Sequence, residues 1–529
     1  MWFAENKSWS QFRRSLGSFS AIVCKDASTV WAEDQYGKTI AQGEAGVDDA
    51  SVIQSAVNLG GIIFIKAGDY ILNEKINLVS NLRLIGEGIG KTNFKKTGDD
   101  VAFRGKDVEN VVLQDFYFDC NGYGGTGYEY DPSGGTFYAS AIGIQASGDR
   151  PVYNIHLKRI KTYNGIGAHI RIGCDTNDLE NTYRNVVIEQ VECHLNPYGE
   201  GASNPMLLVE TGNGVVLRDC YVHEVSNKVD GCIALDGKNI WAYNCIAEEG
   251  YEGIRIEPGS RDAKNINIIG GKFSYNKQGI FLHPGAKEVT IRGVLCKRNI
   301  WHGIVFYGTG TQQKIDIFDC WLIENGYSES ATATLSVNGD SVYEVRIERC
   351  KFINNNFATG ESRAITIFKG DKITIKDNLI IDDRDTSYLR WGIEFRSGTI
   401  TNVVCKNNRI YGAYEKAIAR TYGATVSGIF RRNIADAPID LKSENSGTAT
   451  FSGDGVATVF EIGAHGLVTT DPSKIVVKVS PVSSDAIAAS PCVGYVDPVD
   501  NTKIKVKFSS APASGANNVK IVWYAEVIS

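Results

Sequence analysis

Short apolar strands recur through the middle of the chain at a nearly constant spacing. The segments that carry this pattern, such as VVIEQVEC and VRIERC, begin at the following positions: Val186, Val215, Ile240, Ile266, Val289, Ile315, Val345 and Ile373. The steps between these starts run from 23 to 30 residues. A repeat of this length is typical of solenoids, in which each unit stacks on its neighbours.

Each unit carries a second short strand that ends near a glycine, as in GIRIEPG (253–259), GIFLHPG (279–285) and GIVFYG (303–308). Apolar and other residues alternate in these strands, so one face points inward and the other outward. No long helical periodicity separates the strands, which argues against a barrel of alternating strands and helices. The pattern therefore predicts an all-β protein whose residues 46–445 form a right-handed, single-stranded parallel β-helix.

Two columns of identical residues support this coil register. Four cysteines fall at the sixth position counted from the strand starts: Cys220, Cys245, Cys320 and Cys350. Five asparagines fall at the eleventh position: Asn196, Asn276, Asn299, Asn325 and Asn355. Stacked asparagines can hydrogen-bond along the axis, and stacked cysteines pack as small apolar groups. We therefore predict an asparagine ladder and a buried cysteine column.

The two ends of the chain depart from the repeat. Residues 46–59 (GVDDASVIQSAVNL) fit an amphipathic helix over 47–59 that covers the open end of the solenoid, with Asp48 or Asp49 as its cap. Its predicted apolar face consists of Val52, Ile53, Ala56, Val57 and Leu59. Residues 446–529 read as antiparallel hairpins, which predicts a small C-terminal β-sandwich domain. Residues 1–45 are left as an N-terminal arm.

Composition narrows the possible partners. The 529 residues carry a formal net charge of -6 without a long basic run, which argues against nucleic acid as a partner. No apolar stretch reaches the roughly 18 residues of a membrane span, so we expect no membrane insertion. The first 20 residues lack the order of a secretory signal, so synthesis in the cytoplasm is expected. The 12 cysteines show no paired zinc-site spacing and are expected to be buried free thiols.

The stretch VDDASVIQSAVNLGGIIFIKAGDYILNEKINLVSNLRLIGEG (47–88) resembles the entry segment of the pectate-lyase-like superfamily, especially of viral tailspike proteins. The repeats up to about residue 443 match the β-helix and asparagine ladder of that family. The resemblance implies a homotrimeric, virion-attached protein, assembled in the host cytoplasm, that recognises a host surface polysaccharide and often cleaves it. It also implies that residues 446–529 trimerise the chain or bind glycan, and that the N-terminal arm contacts other tail proteins.

The sequence also departs from this family. It contains none of the tightly spaced motifs of pectin hydrolases or pectate lyases, and no large particle-binding domain precedes the predicted helix. Three functions therefore stay open. The first is a tailspike or fibre that binds and degrades a polysaccharide, the second a non-catalytic adhesin or structural fibre, and the third a free polysaccharide lyase or epimerase acting on uronates.

Candidate catalytic residues line one edge of the second strands. Counted in register, their last outward positions form the column Glu210, Asp236, Glu257, His283 and Tyr307. The outward positions two residues earlier form the column Leu208, Ala234, Arg255, Phe281 and Val305. Neighbouring carboxylates about 5 Å apart repel, which should raise at least one pKa and provide an acid beside an ionised base.

This column is compatible with more than one chemistry. Adjacent carboxylates suit a retaining glycosidase, whereas Glu210 and Glu257, about 10 Å apart, approach the limit for an inverting one. A lyase would instead use Arg255, His283 or Tyr307 as its base. The column could also be an ordinary solvated face, or bind Ca²⁺ through its oxygens; no other cofactor or metal is expected. Further acids, including Asp230 and Glu248, are placed in turns, and Asp230 is a further catalytic candidate.

Aromatic residues are candidates for sugar binding, because they combine an apolar face with a polar tip. The glycine-rich insertion NGYGGTGYEYDPSGGTFY (121–138) supplies four tyrosines: Tyr123, Tyr128, Tyr130 and Tyr138. The segment NIWHGIVF adds Trp301 and His302, and Tyr307 follows in the same strand. These side chains could equally well pack the loops onto the solenoid or satisfy a turn.

Overall fold

The computed structural model divides into two compact units, residues 1–328 and 329–529, which are considered separately below. It describes residues 19–528 apart from 99–100, 123–128, 131–135, 138–139, 147–151, 166–167, 174–182, 197–204, 226–230, 257–262, 284, 328–332 and 357–361. Only the backbone is described for 129–130, 136–137, 183, 196, 210–212, 308–313 and 339–341.

Three antiparallel strands begin the described part of the first unit, within the segment predicted as an arm. They are β1 (Ala21–Lys25), β2 (Thr29–Asp34) and β3 (Thr39–Glu44). Strand β1 also pairs in parallel with 61–65, the first strand of the solenoid. This part of the segment is therefore built onto the first coil.

Helix α1 (Asp49–Val57) follows these strands, as predicted. Val52, Ile53, Ala56 and Val57 are buried, but Leu59 lies beyond the helix and is exposed. Asp48 occupies the N-cap position without a side-chain cap hydrogen bond, because its carboxylate accepts from the Glu44 amide at 2.8 Å instead. The predicted position of Asp48 at the start of the helix is thus confirmed, but its side chain does not cap the helix.

The coils of the first unit contain three strands each, one more than the sequence predicted. The strands of this unit are β4 (Gly61–Ile65), β5 (Gly68–Leu72), β6 (Ile76–Asn77), β7 (Leu82–Gly86), β8 (Thr92–Lys96), β9 (Phe103–Lys106), β10 (Glu109–Asp119), β11 (Glu129–Tyr130), β12 (Thr136–Phe137), β13 (Ile142–Gln145), β14 (Val152–Tyr163), β15 (Ile170–Gly173), β16 (Tyr183–Asn196), β17 (Leu207–Arg218), β18 (Tyr221–Val225), β19 (Ile233–Tyr243), β20 (Ile246–Glu248), β21 (Glu252–Ile256), β22 (Lys264–Ile269), β23 (Lys272–Ser274), β24 (Gln278–Leu282), β25 (Lys287–Arg292), β26 (Leu295–Lys297), β27 (His302–Phe318) and β28 (Trp321–Ile323).

Parallel pairing between successive coils builds three sheets. Sheet A contains the first predicted strands, such as β22 and β25, and sheet C contains the second, such as β21 and β24. Sheet B lies between them along the chain and consists of β5, β8, the ends of β10, β14 and β16, and then β18, β20, β23, β26 and β28. The predicted parallel β-helix is confirmed.

Both predicted columns are present in the first unit. Cys220, Cys245 and Cys320 are each 1% exposed, and the described cysteines are free thiols. Asn276, Asn299 and Asn325 form a buried ladder, in which the Asn299 side-chain amide donates to the Asn325 Oδ1 at 2.7 Å. The same side chains also satisfy buried backbone groups of neighbouring coils, so the ladder holds successive turns in register.

The second unit contains the same kind of three-strand coil. Its coil strands are β29 (Ala333–Glu348), β30 (Lys351–Ile353), β31 (Arg363–Ile367), β32 (Gly370–Lys376), β33 (Leu379–Ile381), β34 (Trp391–Phe395), β35 (Thr399–Lys406), β36 (Arg409–Tyr411), β37 (Lys416–Arg420), β38 (Thr425–Arg431) and β39 (Ile434–Ala435). Cys350 continues the cysteine column and is 1% exposed. In the following coils asparagine replaces cysteine at the sixth position, and Asn378, Asn408 and Asn433 form a second ladder.

The C-terminal segment forms two three-stranded antiparallel sheets, as predicted. One consists of β40 (Glu444–Gly453), β42 (Ile475–Pro481) and β45 (Gly515–Val527), and the other of β41 (Val459–Ala464), β43 (Cys492–Val496) and β44 (Lys503–Phe508). The short helix α2 (Ser484–Ala488) and a 3₁₀ turn (Pro472–Lys474) connect them. Side chains of both sheets, such as Ile504 and Trp523, share one apolar core. In the described parts of the chain, no helix has the length and apolar character needed to span a membrane.

Candidate functional site

A row of polar and aromatic side chains lies on the outward face of sheet B. Inward positions of its strands hold small or apolar residues such as Cys193, Val222 and Ala247, so the alternate residues point outward. We call the outward group the sheet B patch; it consists of Lys161, Tyr163, Glu192, His194, Tyr221, His223, Glu248, Lys272 and Ser274. The parallel register places Glu192 beside Lys161 and Tyr221, and His194 beside Tyr163 and His223.

Glu192 is the first of two carboxylates in the patch. It accepts a hydrogen bond from Lys161 Nζ at 2.8 Å, and His223 Nε2 lies 3.0 Å from the same oxygen. Partial burial raises the pKa of Glu192, but the contacts with Lys161 and His223 outweigh this and lower it overall. Glu192 is therefore ionised at neutral pH, in a site that fixes its orientation.

Glu248 is the second carboxylate and is held in a similar way. Its Oε1 accepts from Lys272 Nζ at 2.6 Å and from Ser274 Oγ at 2.7 Å, and its Oε2 accepts from Tyr221 Oη at 3.1 Å. Burial raises the pKa of Glu248, but these three partners lower it overall. Burial and the bond to Glu248 raise the pKa of Tyr221 to about 12, so the phenol stays protonated and donates.

Stacked rings connect the two carboxylates. The Tyr221 and His223 rings lie 4.0 Å apart at 12°, and the His223 and His194 rings lie 4.2 Å apart at 15°. Tyr163 meets His194 edge to face at 5.2 Å. The Tyr221–His223 stack runs along strand β18, whereas the His223–His194 stack joins adjacent coils. Such an arrangement suits hydrogen bonding to a polar ligand.

The sheet B patch can supply a glutamate as general base, but neither of its two glutamates is suited to act as a protonated general acid. Glu192 and Glu248 lie two coils apart and two residues out of register, because Glu192 pairs with Tyr221 and Tyr221 pairs with Ile246. Strand spacing and residue rise then set their Cα atoms about 12 Å apart, which is wider than the carboxyl separation of an inverting glycosidase. Both carboxylates have lowered pKa values, so a general acid must come from another group. Protonated His223, 3.0 Å from Glu192, could serve. Glu192, His194 and His223 also bring three possible metal ligands within 4.8 Å of one another.

A second aromatic group occupies the turns between sheets B and C. Lys277 Nζ lies 4.5 Å from the Tyr251 ring centre and 5.2 Å from that of Trp301, while the two rings meet edge to face at 5.8 Å. Trp301, predicted to bind sugar, is half-buried in this cluster, and His302 begins β27. Their role in sugar binding stays a prediction.

The outward column predicted on sheet C has the expected register but a different environment. Leu208, Ala234, Arg255, Phe281 and Val305 face one another on successive strands. Leu208 is 6% exposed, Ala234 3%, Phe281 8% and Val305 2%, so these four members of the column are buried although they lie on the outward side of their strands. Covering these apolar side chains is favourable, because it removes their surface from water.

The described members of the predicted catalytic set lie around this buried column. Arg255 Nε lies 3.8 Å from Glu252 Oε2, and the His283 ring meets Phe281 edge to face at 4.3 Å. Asp236 is half-buried, whereas Tyr307 is 58% exposed. Their catalytic and binding roles stay predictions. The other predicted side chains lie outside those that the structure describes: Glu210, Asp230, Glu257, Tyr123, Tyr128, Tyr130 and Tyr138.

The sequence interpretation missed most of the sheet B patch. Glu248 was placed in a turn but ends strand β20, and Glu192, His194 and His223 were not singled out. A usable signal was present, because His223 and Glu248 each follow a column cysteine by three residues, Cys220 and Cys245. Three residues is an odd step, so the alternation of a strand leads from the inward cysteine column to an outward position.

Comparison with solved structures identifies the fold. A mutant tailspike protein of E. coli bacteriophage HK620 in complex with a pentasaccharide matches with a TM-score of 0.53 at 13% identity, over 93% of this chain and 92% of that chain. Another mutant of that tailspike, in complex with a hexasaccharide, matches with a TM-score of 0.53 at 12% identity, over 93% and 91%. An A-module of a mannuronan C-5 epimerase of Azotobacter vinelandii gives a TM-score of 0.47 at 17% identity, over 74% and 97%.

No protein-family model and no curated protein matches the sequence. At such low identities, the similarity to the tailspikes shows the fold alone, a right-handed parallel β-helix of the tailspike type.

Proposed function

We propose that this chain is a tailspike-type protein that binds a host cell-surface polysaccharide along the sheet B patch. The carrying observation is the row itself: two ionised glutamates, each held by a lysine, joined by stacked tyrosine and histidine rings on an outward face. Sugars present many hydroxyl groups, and charged side chains with fixed orientations form strong hydrogen bonds to such groups. The patch spans several coils, which suits an extended chain ligand.

The structural comparison supports the same class of ligand. The HK620 tailspike mutants share the fold over 93% of this chain, and they are complexes with oligosaccharides. Fold does not fix function, so the proposal depends on the patch rather than on the similarity.

We also propose that the bound polysaccharide is cleaved at the patch. In hydrolysis, ionised Glu248 or Glu192 would activate water while a protonated group such as His223 donates to the leaving oxygen. In elimination, the same carboxylates would take a proton from the sugar, and Lys161 or Lys272 would balance the charge of a uronate. Asp236, Arg255 and His283, together with Glu210 and Glu257 from the sequence prediction, are the competing catalytic candidates.

Incubating the protein with surface polysaccharides of candidate hosts tests the proposal. New reducing ends without ultraviolet absorbance of an unsaturated uronate would mean a hydrolase, and appearance of that absorbance would mean a lyase. EDTA in a parallel reaction tests for a required cation. Binding without either product would reduce the function to that of an adhesin, and failure to bind any glycan of the set would contradict the proposal.

The finer biological setting is part of the proposal as well. Attachment to a virion, trimerisation through residues 446–529 and contacts of the N-terminal segment with other tail proteins rest on the resemblance of residues 47–88. Light scattering of the full chain, compared with a variant that ends before residue 446, tests the trimer. A full chain that scatters as a monomer would overturn that part.

A further inference from the structure

Three side chains of sheet B form a compact set of metal-ligand types. Glu192 and His194 are two residues apart on β16 and therefore share its outward face. His223 lies opposite His194 on the adjacent strand β18. One ligand atom from each residue lies within 4.8 Å of the others, and all three side chains are partly buried.

The surrounding contacts hold these ligands in place. His223 Nε2 lies 3.0 Å from Glu192 Oε1, and the two histidine rings stack at 4.2 Å and 15°. Glu224 adds a carboxylate 3.0 Å from His194 Nε2. The histidines come from paired strands, so the backbone is already in place, and only the side chains, whose rings lie in nearly parallel planes, must rotate for both to reach one ion.

We propose that Glu192, His194 and His223 bind a divalent transition-metal ion, with Zn²⁺ as the preferred ion. Two imidazoles and one carboxylate form a ligand set that Zn²⁺ accepts, with a further position left for water or another ligand. Ca²⁺, considered above for the sheet C carboxylates, prefers oxygen ligands alone and fits this trio poorly.

Lys161 is the natural competitor of the ion. Its Nζ lies 2.8 Å from Glu192 Oε1, the carboxylate oxygen that also faces His223. A bound ion would displace this ammonium group, which costs binding free energy through lost pairing and charge repulsion. Removing the ammonium group should therefore strengthen metal binding, whereas a site held together only by hydrogen bonds would gain nothing.

The chain contains a matched control on sheet A. There His156 Nε2 lies 3.2 Å from Glu189 Oε1, and Lys158 Nζ lies 2.5 Å from the same oxygen. This group contains the same three residue types as the proposed site: a histidine, a glutamate and a lysine. Among the described residues, however, it is not part of a cluster of three metal-ligand side chains, because it lacks a second histidine. It should not bind the ion tightly.

Titration of the full-length protein with Zn²⁺, and with Co²⁺ as a spectroscopic probe, tests the site without any polysaccharide. We expect tight binding by the wild type and by His156→Ala, and binding weaker by at least about 100-fold in His194→Ala and His223→Ala, since loss of a supporting contact alone costs 10–100-fold. Lys161→Met should bind more tightly than the wild type. Circular dichroism confirms that each variant is folded.

Equal Zn²⁺ affinity of the wild type and folded His223→Ala would overturn the proposal, as would weaker binding after Lys161→Met. A wild type that binds no ion would also overturn it. The outcome is independent of the proposed function, because a protein that binds Zn²⁺ here without binding glycan, or the reverse, separates the two.

Discussion

Sheets B and C belong to the same coils, yet their outward faces differ. On sheet B most outward side chains are charged or aromatic and reach solvent, with Lys161 29% and Glu192 31% exposed, although Ser274 is buried. On sheet C the corresponding residues Leu208, Phe281 and Val305 are almost fully buried. Sheet B therefore exposes polar groups that can bind or react with a ligand, whereas this part of sheet C is an apolar surface that is buried in the fold.

The difference shows that an outward position in a solenoid does not by itself mean a surface position. Register decides which side of the strand a residue occupies, and this was predicted correctly for sheet C. Whether that side meets water depends on what else the fold packs against it. Ranking candidate sites therefore requires the burial of each face as well as its pattern of residues.

The largest effect should come from opening the covered face. Replacing Phe281, which is 8% exposed, with alanine should lower the free energy of unfolding by about 3 kcal/mol or more, because the lost side chain leaves a cavity. Urea denaturation measures the change. Tyr307→Ala on the same sheet is the control: its side chain is 58% exposed, and a change within about 0.5 kcal/mol is expected. Equal effects would mean that the Phe281 face is open.

The second prediction concerns the pH dependence of stability that the buried histidine His169 causes. His169 is fully buried, with Thr162 Oγ1 2.8 Å from its Nδ1, and burial lowers its pKa to about 4 despite the opposing contact with the Gly165 carbonyl. The unfolded chain therefore binds this proton more readily. The stability contributed by neutral His169 is complete above about pH 6.5 and is lost as the pH falls towards about 4, by about 3 kcal/mol.

The variant His169→Gln isolates this contribution. Its free energy of unfolding, subtracted from that of the wild type, should change by about 3 kcal/mol between about pH 7 and about pH 4, as measured by urea titration at each pH. A pH-independent difference would show that His169 is not held neutral in the folded protein.

The third prediction tests whether the polysaccharide is cleaved on sheet B or on sheet C. Glu248→Gln should reduce polysaccharide cleavage by about 100-fold or more, because a proton-transfer group of this kind contributes 10²–10⁴-fold. Reducing-end assays measure the rate. Glu249→Gln, on an exposed neighbour, is the matched control and should be nearly unchanged. Loss of activity in Asp236→Asn but not in Glu248→Gln would move the site to sheet C.

The smallest effect should come from the lysine that holds Glu248. Lys272→Met removes the ammonium group 2.6 Å from Oε1, so the pKa of Glu248 should rise while the carboxylate remains mostly ionised at neutral pH. We expect the acidic limb of the pH–rate profile to move to higher pH, with a less than tenfold change in rate at about pH 7. An unchanged profile would mean that Glu248 does not control the rate.

The fold could be predicted largely from the sequence, because every coil buries apolar residues at the same positions of the repeat. Val186, Val215 and Ile240 mark inward positions, and Cys220 and Asn299 mark columns that only one register can stack. Helix α1 was predicted from its apolar spacing, and Asp48 lies at its N-cap position, but the Asp48 carboxylate accepts from the Glu44 amide rather than from an amide of the helix. Strong periodicity predicts elements, whereas single hydrogen bonds at their ends depend on tertiary neighbours.

The site was predicted less well because sheet B is built from very short strands. Ile246–Glu248 and Lys272–Ser274 have only three residues each, too few to display an alternation of apolar and polar positions. The contacts that define the patch join residues 24–31 positions apart, such as Lys272 to Glu248 and His223 to Glu192. Only the coil register brings them together, and the sequence analysis placed two strands in each coil rather than three.

The central claim is that the polysaccharide binds along sheet B. A crystal structure of the Glu248→Gln variant with an oligosaccharide of a cleaved or bound glycan tests it most directly, since a slowed enzyme should retain its ligand. We expect the sugar to lie over sheet B, in contact with Glu192, Tyr221 and residue 248. An oligosaccharide bound instead beside Asp236 and Tyr307, or on the C-terminal domain, would contradict the claim.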